Sequence, residues 1–274
     1  MLGCISIRRL VEELMAVKVY ENVVSQDQRK ILLDYFKTTD DLVDSRPDVR
    51  SKTPVWNQTT NWPQDTVKQI LDDIIKLKYD PEWIFFYMLR QYPFRPFPLH
   101  VDSGDGDQSK LHKNILIPLD LDGPATTIVF KNKWHGPSTR FGTTNVSPFR
   151  YEILNHGGAI QVIEDIRELK DISHLRITQE ELDRLIEVRS GKTNQRVTDY
   201  TNIEGYDPNI KFDKQIHQQY LSHIPIENLH GLTIDSIIEW KLGDVITFDR
   251  QHLHSAGCCH SKKIGLTVTT NVGD

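Results

Sequence analysis

The stretch "KLGDVITFDRQHLHSAGCCHSKKIGLTVTT" (Lys241–Thr270) decides the fold class of this chain. Gly243 and the aspartate after it predict a tight turn, because glycine enters turn conformations at little steric cost. The apolar segment that follows the turn is typical of a β-strand, and so is the alternating segment Lys263–Thr270. His252 and His254 lie in the connection or at the strand end. The stretch therefore predicts two strands with a pair of histidines between them.

Three earlier segments are also rich in the aromatic and β-branched residues that strands favour. They are "WIFFYMLRQY" (Trp83–Tyr92), "NILIPLDL" (Asn114–Leu121) and "TTIVF" (Thr126–Phe130). Together with "SIIEWKLGDVITF" (Ser236–Phe248), they predict a sheet that is buried on at least one face. The expected fold class is mostly β with flanking helices.

Two helices are expected on the amino-terminal side of these strands. Ser25, with Gln28 three residues later, is a capping box. The first helix would bury one face made of Ile31, Leu32 and Tyr35. Pro63 favours a second helix start, because proline suits the first helical turn. The apolar stripe of this second helix would consist of Val67, Ile70, Leu71, Ile74 and Ile75. We therefore expect helices that buttress the sheet, with residues 1–16 as an amino-terminal extension and residues 17–274 as a single domain.

The segment Lys131–Asp235 has a looser pattern, with polar stretches that contain glycine and asparagine. One helix signal interrupts it, since Thr178 and Glu181 form a capping box. We expect this segment, residues 131–235, to be an insertion between core strands. It would line or cover the mouth of a pocket, because long excursions from a rigid scaffold often carry specificity.

The bulk composition disfavours several classes of protein. The 274 residues carry a net charge of −5, and 38% are hydrophobic and 26% charged, as in ordinary globular domains. No basic block favours a nucleic-acid partner, and the longest apolar run, Trp83–Leu89, is too short to cross a bilayer. Three cysteines, of which Cys258 and Cys259 are adjacent, do not make a disulfide framework. These features favour a cytoplasmic protein with no membrane or nucleic-acid partner.

The candidate chemistry begins in "FPLHVDSGDG" (Phe97–Gly106), which contains His100 and Asp102. A His-x-acid triplet occurs by chance about once or twice in a chain of this composition, so it needs support from elsewhere. Residues two apart on an extended chain point to the same side, so both side chains could approach one metal ion. A third ligand could come from His254 or from His252, which shares its face by the period of two.

The order of these features resembles the Fe(II)/2-oxoglutarate-dependent oxygenase superfamily, in its prolyl-hydroxylase-like or phytanoyl-hydroxylase-like branch. "MLRQYPFRPFPLHVDSG" is similar to the lead-in to the proximal His-x-Asp of the prolyl-hydroxylase-like members. The "GD-apolar-F-D" strand, a histidine a few residues later and a basic residue on the next strand are similar to the carboxy-terminal half of these enzymes. The similarity extends over roughly Val17–Val272, apart from the insertion. It implies a double-stranded β-helix (jelly-roll) core.

The resemblance implies that His100, Asp102 and His254 bind Fe(II), with 2-oxoglutarate and O2 as co-substrates. Two imidazoles and one carboxylate on one face of Fe(II) leave three positions open for them. The spacing from Phe248 that is usual in the family favours His254 over His252. The presence of Asp102 argues against the halogenating branch, in which that carboxylate is missing.

A cation is expected at the far carboxylate of 2-oxoglutarate, because an unpaired buried charge is costly. The resemblance gives this role to Lys263, although many members have arginine there. A period of two puts Lys263 and Thr267 on one face of their strand. The other face would pack against helices and consists of Ile264, Leu266 and Val268.

Tyr92 and Asn114 match two positions at which relatives often offer a further hydrogen bond to the co-substrate. Packing would explain both residues equally well, since one is a strand aromatic and the other a polar residue at a strand edge. The implied activity is hydroxylation of a C–H bond in a small-molecule or peptidyl substrate. A peptidyl or free amino-acid side chain is preferred by analogy with the prolyl-hydroxylase-like lead-in. The alternative is a non-catalytic jelly-roll protein that binds a metal or a small ligand.

Overall fold

The computed structural model of the chain describes residues 17–38, 42–46, 51–54, 63–79, 84–91, 98–103, 108–142, 151–156, 160–163, 165–175, 177–180, 182–183, 186, 196–257 and 263–272. The predicted extension 1–16, Tyr92 and the three cysteines lie outside these residues. Within the described part, no helix combines the length and apolar character needed to cross a bilayer.

The described residues form mainly β-strands, as the sequence predicts. In chain order the strands are β1 (Val17–Tyr20), β2 (Leu42–Arg46), β3 (Ser51–Pro54), β4 (Ile84–Gln91), β5 (His100–Val101), β6 (Leu111–Leu121), β7 (Thr126–Lys133), β8 (Thr139–Phe141), β9 (Tyr151–Leu154), β10 (Ile160–Ile163), β11 (Arg196–Val197), β12 (Ile234–Glu239), β13 (Val245–Asp249), β14 (His252–Ala256) and β15 (Lys263–Asn271). The helices include α1 (Gln26–Thr38), α2 (Gln64–Lys68) and α3 (Lys214–Ile216), with π-helical turns at Gln69–Ile74 and His217–Leu221 and 3-10 turns at Gln108–Lys110, Ile166–Glu168 and Ile226–Leu229.

Two large sheets contain most of the strands. The first has seven strands in the order β1-β13-β6-β15-β4-β3-β2, and the second has six in the order β11-β8-β5-β14-β7-β12. β9 and β10 form a separate antiparallel pair. Because β13 and β15 belong to the first sheet and β14 to the second, the chain passes between the sheets twice within Lys241–Thr270.

Helix α1 begins as its capping pattern predicts. The Ser25 main-chain N–H donates to Gln28 Oε1 at 2.9 Å, and the Gln28 N–H donates to Ser25 Oγ at 3.2 Å. Leu32 and Phe36 are fully buried, whereas Ile31 is 48% exposed. The sequence-based prediction is therefore wrong for Ile31. One residue along a helix turns a side chain by about 100°, which carries Ile31 away from the face that Leu32 buries.

The amino-terminal helices cover one face of the seven-stranded sheet. Pro63 directly precedes α2, as expected. One buried cluster joins helix residues to residues of β6 and β15: Leu32, Phe36, Val67, Ile70, Leu71, Ile115, Ile117, Ile264, Leu266 and Val268. Its members from β15 are the alternate apolar residues, so the facing predicted for that strand is confirmed. Full burial of a side chain of this size stabilises the fold by about 1.5–3 kcal/mol.

The other face of the seven-stranded sheet meets the six-stranded sheet. The buried residues between them, called the intersheet cluster below, are Val17, Leu116, Ala125, Val129, Ile238, Trp240, Ile246 and Phe248. Leu116 and Phe248 belong to the first sheet and Val129 to the second. The space between the sheets is apolar at this level, so a polar or charged side chain that enters it needs a partner.

The segment Lys131–Asp235 is joined to the sheets more closely than the sequence predicts. It contributes β8 and β11 to the six-stranded sheet, and its two ends are parts of β7 and β12. Apolar residues after β11 cover the outer face of this sheet, in one cluster with Leu99, Phe130 and Leu253: Ile203, Phe212, Leu221, Leu229 and Leu232. The insertion between core strands stays a prediction, and parts of the segment pack on the six-stranded sheet. Irregular segments that cover a sheet have no regular apolar period, so the sequence pattern did not reveal their burial.

The turn predicted at Gly243 is present between β12 and β13. Gly243 has a φ of 98°, a left-handed conformation that glycine adopts without the penalty of a Cβ. Its carbonyl accepts a hydrogen bond from the Val24 N–H at 2.8 Å, and Asp244 Oδ1 accepts one from the Asn22 N–H at 2.8 Å. The turn thereby fixes the connection between β1 and α1 beside the start of β13.

Candidate metal centre

The structure brings His100, Asp102 and His254 together beside the intersheet cluster. One ligand atom from each residue lies within 4.8 Å of the other two. His254 Nε2 is 3.2 Å from Asp102 Oδ2, and His100 Nε2 is 3.7 Å from Asp102 Oδ1. The centroids of the two imidazole rings are 4.1 Å apart. Residues 152 positions apart in sequence thus form one compact group.

Strand pairing explains why these side chains converge. β5 and β14 are antiparallel, and His100 and His254 are direct partners in their register. On its other side β5 pairs with β8. Opposed residues of antiparallel strands project from the same side of the sheet, with their Cβ atoms about 4.5–5.5 Å apart. Asp102 follows His100 by two positions and so returns to that side.

Main-chain carbonyl groups orient both imidazole rings. His100 Nδ1 is 2.7 Å from the Pro98 oxygen, and His254 Nδ1 is 3.0 Å from the His252 oxygen. A carbonyl oxygen only accepts hydrogen bonds, so each Nδ1 carries a proton, and in a neutral imidazole Nε2 is then the nitrogen with the lone pair. Both Nε2 atoms face the Asp102 carboxylate. Two imidazole nitrogens and one carboxylate that converge in this way are a donor set that suits a divalent transition metal.

The pKa values of this group suit metal binding. Burial lowers the pKa of His100 to about 3, and the neighbouring His254 acts in the same direction. Burial by itself would raise the pKa of the Asp102 carboxyl. The neighbouring His100 and His254 imidazoles and the Asn114 amide act in the opposite direction, and the pKa of Asp102 lies below its usual range. At neutral pH His100 is therefore a neutral imidazole and Asp102 a carboxylate, the forms that bind metals.

Two side chains that are distant in sequence hold Asp102 in place. Asn114 Nδ2, on β6, donates to Asp102 Oδ2 at 2.8 Å. Arg250 Nε, in the turn between β13 and β14, donates to the Asp102 main-chain oxygen at 3.0 Å. Partners of this kind orient a metal-binding carboxylate, and their loss typically lowers metal affinity by about 10–100-fold. For Asn114 the sequence predicts a contact with the co-substrate, whereas its Nδ2 contacts Asp102.

His252 lies apart from this group. Its Nδ1 is 2.6 Å from the Phe130 oxygen, and its Nε2 is 3.9 Å from Asp249 Oδ2. An irregularity between His252 and His254 in the pairing of β14 with β7 breaks the strict period of two. The period therefore does not bring both histidines to one site, and it is His254 that lies beside His100 and Asp102.

Lys263 and Thr267 lie on the face of β15 that is turned away from the helices. Lys263 is 2% exposed, and its Nζ is 4.2 Å from the ring centroid of Trp240, the residue that follows β12. Thr267 is also buried. The alternation along β15 predicts this facing for both residues.

Sequence reasoning missed Arg250 and Trp240. Arg250 stands in "FDRQHLH" directly before the strand that bears His254, and a charged residue between two buried strands is a signal for a buried partner. Trp240 stands in a segment that the sequence identifies only as a strand. Its contact with Lys263 joins two sheets, and no local pattern predicts it.

The chain is similar to solved structures over nearly its whole length. It is similar to a Pseudomonas putida prolyl-4-hydroxylase with a TM-score of 0.39 and 8% identity, covering 96% of this chain and 95% of the other. The match to HygX from Streptomyces hygroscopicus with iron bound has a TM-score of 0.42 and 11% identity, and covers 98% and 88%. The match to EctD from S. alaskensis with 2-oxoglutarate and 5-hydroxyectoine has a TM-score of 0.44 and 13% identity, and covers 98% and 76%.

These structures are prolyl hydroxylases and 2-oxoglutarate-dependent oxygenases, the superfamily that the sequence resembles. No family model matches the chain, and no curated protein matches it. These similarities have TM-scores below 0.5 and do not assign a function to the chain. The residues of the candidate metal centre are the basis for one.

Proposed function

We propose that this protein is an Fe(II)- and 2-oxoglutarate-dependent oxygenase that hydroxylates a C–H bond of its substrate. The observation that carries the proposal is the convergence of two imidazole rings and one carboxylate, from His100, His254 and Asp102. A structural metal site is usually closed by four protein ligands. The three ligands found among the described residues would leave metal positions open for a co-substrate and dioxygen, as in non-haem iron oxygenases.

The proposed core is a double-stranded β-helix. In this jelly-roll architecture the strands form two facing antiparallel sheets. The passage of the chain between the sheets at β13, β14 and β15 supports it, and so does the passage from β6 to β7. β1 and β15 belong to the same sheet, which supports a single domain over residues 17–274.

In the proposed site, His100, Asp102 and His254 would hold Fe(II), and the bound iron would supply the activation of dioxygen with 2-oxoglutarate as the reductant. The carbonyl groups at Pro98 and His252 would keep each ring proton on Nδ1, so that Nε2 is available. Asn114 and Arg250 would hold the carboxylate in the orientation that the metal requires. The neighbouring intersheet cluster would exclude water, which strengthens every electrostatic interaction in the site.

Lys263 would pair with the far carboxylate of 2-oxoglutarate. Its ammonium is buried beside the intersheet cluster, and the far carboxylate would bring an opposite charge to it. Thr267, two positions beyond Gly265 on the same face, would offer a hydroxyl to the same ligand. Tyr92 stays a further proposed contact on the ground of the sequence alone.

The substrate is proposed to be a small molecule or a peptidyl side chain that reaches the metal past the loop after β7. Ser103, the residue after Asp102, donates through Oγ to the Gly136 oxygen at 2.7 Å. That loop therefore lies beside the candidate centre, where it can contact a substrate. This proximity supports a role for part of residues 131–235 at the mouth of the site.

Anaerobic titration with Fe(II) and 2-oxoglutarate tests the proposed centre. We expect the wild-type protein to develop the visible absorbance of an iron–2-oxoglutarate chelate. His100→Ala, Asp102→Ala and His254→Ala should abolish it, because each removes a ligand. His252→Ala is the matched control and should keep much of the signal. Loss of the signal in His252→Ala but not in His254→Ala would overturn the ligand assignment.

Succinate release then tests for catalysis. The protein with Fe(II), 2-oxoglutarate and oxygen is screened against metabolites and peptides. The proposal expects succinate in amounts that match the hydroxylated product for at least one of them. Chelate formation without substrate-dependent succinate release would favour the non-catalytic metal- or ligand-binding jelly-roll protein instead.

A further inference from the structure

Trp240 lies where the intersheet cluster meets Lys263. The Lys263 Nζ is 4.2 Å from the centroid of the Trp240 ring, and both residues are buried. An ammonium over the face of an indole at this distance is attracted by the ring quadrupole, most strongly when both groups are desolvated. The indole is therefore a direct neighbour of the charge that is proposed to bind the far carboxylate of 2-oxoglutarate.

Two hydrogen bonds fix the position of Trp240. Its Nε1 donates to Thr127 Oγ1, on β7, at 2.8 Å. Its main-chain N–H donates to the Ala125 oxygen at 2.8 Å. Both partners lie on the side of the six-stranded sheet, whereas the ring reaches β15 of the seven-stranded sheet. The ring cannot swing away from Lys263 without breaking the buried Nε1 bond.

Gly265 has no side chain, and the indole of Trp240 occupies the space that a side chain would fill. A Cβ at this position would lie 2.7 Å from Cη2 and Cζ3 of Trp240, closer than real Cβ atoms come to other atoms. Gly265 stands between Lys263 and Thr267 on the same face of β15. Glycine inside a strand often marks such a close approach. The indole therefore covers the strand between the two residues that are proposed to contact the co-substrate.

We propose that Trp240 is a positioning residue that sets the distance between the Lys263 ammonium and the metal centre, and thereby selects the length of the 2-oxo dicarboxylate. This inference rests on the proposed function, because it assumes that one 2-oxo acid spans the metal and Lys263. With the indole against it, the ammonium cannot withdraw toward Gly265, so a ligand one methylene longer does not fit. The Phe248 ring, in the same cluster, has its centroid 4.9 Å from that of His254. The intersheet cluster therefore contacts Lys263 through Trp240 and His254 through Phe248.

Calorimetric titration tests this inference without turnover. Mn(II) replaces Fe(II), and 2-oxoglutarate and 2-oxoadipate, which is one methylene longer, are titrated into each variant. Trp240→Leu removes the ring. We expect it to weaken 2-oxoglutarate binding about tenfold and to lower the preference for 2-oxoglutarate over 2-oxoadipate about tenfold, with Mn(II) affinity unchanged. Trp240→Phe leaves a smaller ring without the Nε1 donor, and Thr127→Val removes the acceptor of that donor. Each should change both quantities in the same direction by less.

Ile238→Ala is the matched control, since Ile238 belongs to the same cluster and is as buried as Trp240. It should lower thermal stability but keep the wild-type ranking of the two 2-oxo acids. If the wild type binds 2-oxoglutarate but the Trp240 and Thr127 variants keep its affinity and its ranking of the two 2-oxo acids, this inference is overturned and the proposed function is not. The inference is also overturned if Ile238→Ala changes the ranking as much. A wild-type protein that binds Mn(II) but neither 2-oxo acid would instead overturn the proposed function, and this inference with it.

Discussion

Arg250 and Lys263 are both buried cations, each 2% exposed, and they lie at opposite ends of β15. Arg250 Nη1 donates to the Thr270 oxygen at 3.3 Å and to Asn271 Oδ1 at 2.9 Å, at the end of the strand. Lys263 is the first residue of the strand, and its ammonium lies over the Trp240 ring. The two cations are thus equally buried, but Arg250 contacts oxygen acceptors whereas Lys263 contacts an aromatic ring.

The difference separates a cation that supports the framework from one suited to bind a ligand. The planar guanidinium of Arg250 matches several oxygen acceptors at once, and one of them is the main-chain oxygen of Asp102. Burial lowers the pKa of Arg250 to about 10, which leaves it charged at neutral pH. An aromatic face attracts an ammonium without supplying an oxygen, so the ring beside Lys263 is compatible with an added carboxylate.

Replacement of Arg250 should give the largest effect on stability. Arg250→Met deprives three buried oxygen acceptors of their donor. We expect it to lower the free energy of unfolding by about 3–5 kcal/mol, measured by urea denaturation of the metal-free protein. Lys263→Met should cost less than Arg250→Met, because a flexible apolar chain can pack against the same ring. Equal losses in the two variants would break the distinction between the cations.

Lys263 should dominate ligand binding instead. Lys263→Met removes the proposed partner of the far carboxylate, so 2-oxoglutarate affinity should fall by about 2–5 kcal/mol, or roughly thirtyfold to several thousandfold. Metal affinity should stay near that of the wild type. Equilibrium dialysis with Mn(II) measures both quantities. The neighbouring Lys262→Met serves as the control, and a larger loss there than in Lys263→Met would contradict the proposed pocket.

Asn114 and Arg250 both donate to Asp102, Asn114 to its side chain and Arg250 to its main chain. Replacing Asn114 therefore tests the carboxylate without removing a buried cation. Asn114→Ala should weaken Mn(II) binding about 10–100-fold, since the carboxylate loses an orienting donor. Asn132 is an equally buried asparagine whose Oδ1 accepts from the Thr233 N–H at 2.8 Å. Asn132→Ala should reduce stability but leave metal affinity unchanged. Similar metal affinities in the two alanine variants would remove Asn114 from the site.

Acid pH should produce the most gradual effect, because it is spread over several pH units. The pKa of His100 is lowered by burial from 6.5 to about 3, so between these values the unfolded chain binds more protons than the folded one. Stability of the metal-free protein should therefore fall as pH is lowered through this window, with a slope approaching about 1.4 kcal/mol per pH unit from this group. Arg250 stays charged throughout and adds nothing to the slope.

Urea denaturation of the metal-free protein at several pH values measures this slope. His100→Gln should flatten it, whereas Asn132→Ala, which removes no titratable group, should lower stability without changing the slope. An unchanged slope in His100→Gln would show that His100 is protonated in the folded state as easily as in the unfolded one.

The sequence predicts structure well where the signal is local or periodic. The Ser25 capping box, the turn at Gly243 and the alternation along Lys263–Thr270 all have the predicted geometry. Each depends on residues that are neighbours in the chain, so backbone conformation alone determines them. The choice of His100, Asp102 and His254 needed the order of motifs as well, and the structure brings these three side chains together.

The remaining features depend on contacts between distant residues. Trp240 and Thr127 are 113 positions apart, and Arg250 and Asp102 are 148 apart. No periodicity connects such pairs, because they meet only through the pairing of distant strands or the packing of the sheets. The failure of the period of two at His252 has the same origin, since the irregularity depends on how β14 pairs with β7.

The register between His100 and His254 also has a consequence for how the protein folds. β5 is only two residues long, and its partner on β14 comes more than 150 positions later in the chain. Closing so long a loop costs entropy before any contact repays it, and contacts of high sequence separation slow folding. The three ligands therefore come together only as the long-range strand pairs of the sheets form. We expect metal to slow the unfolding of the native protein far more than it accelerates refolding, because interactions absent from the transition state act on the unfolding rate.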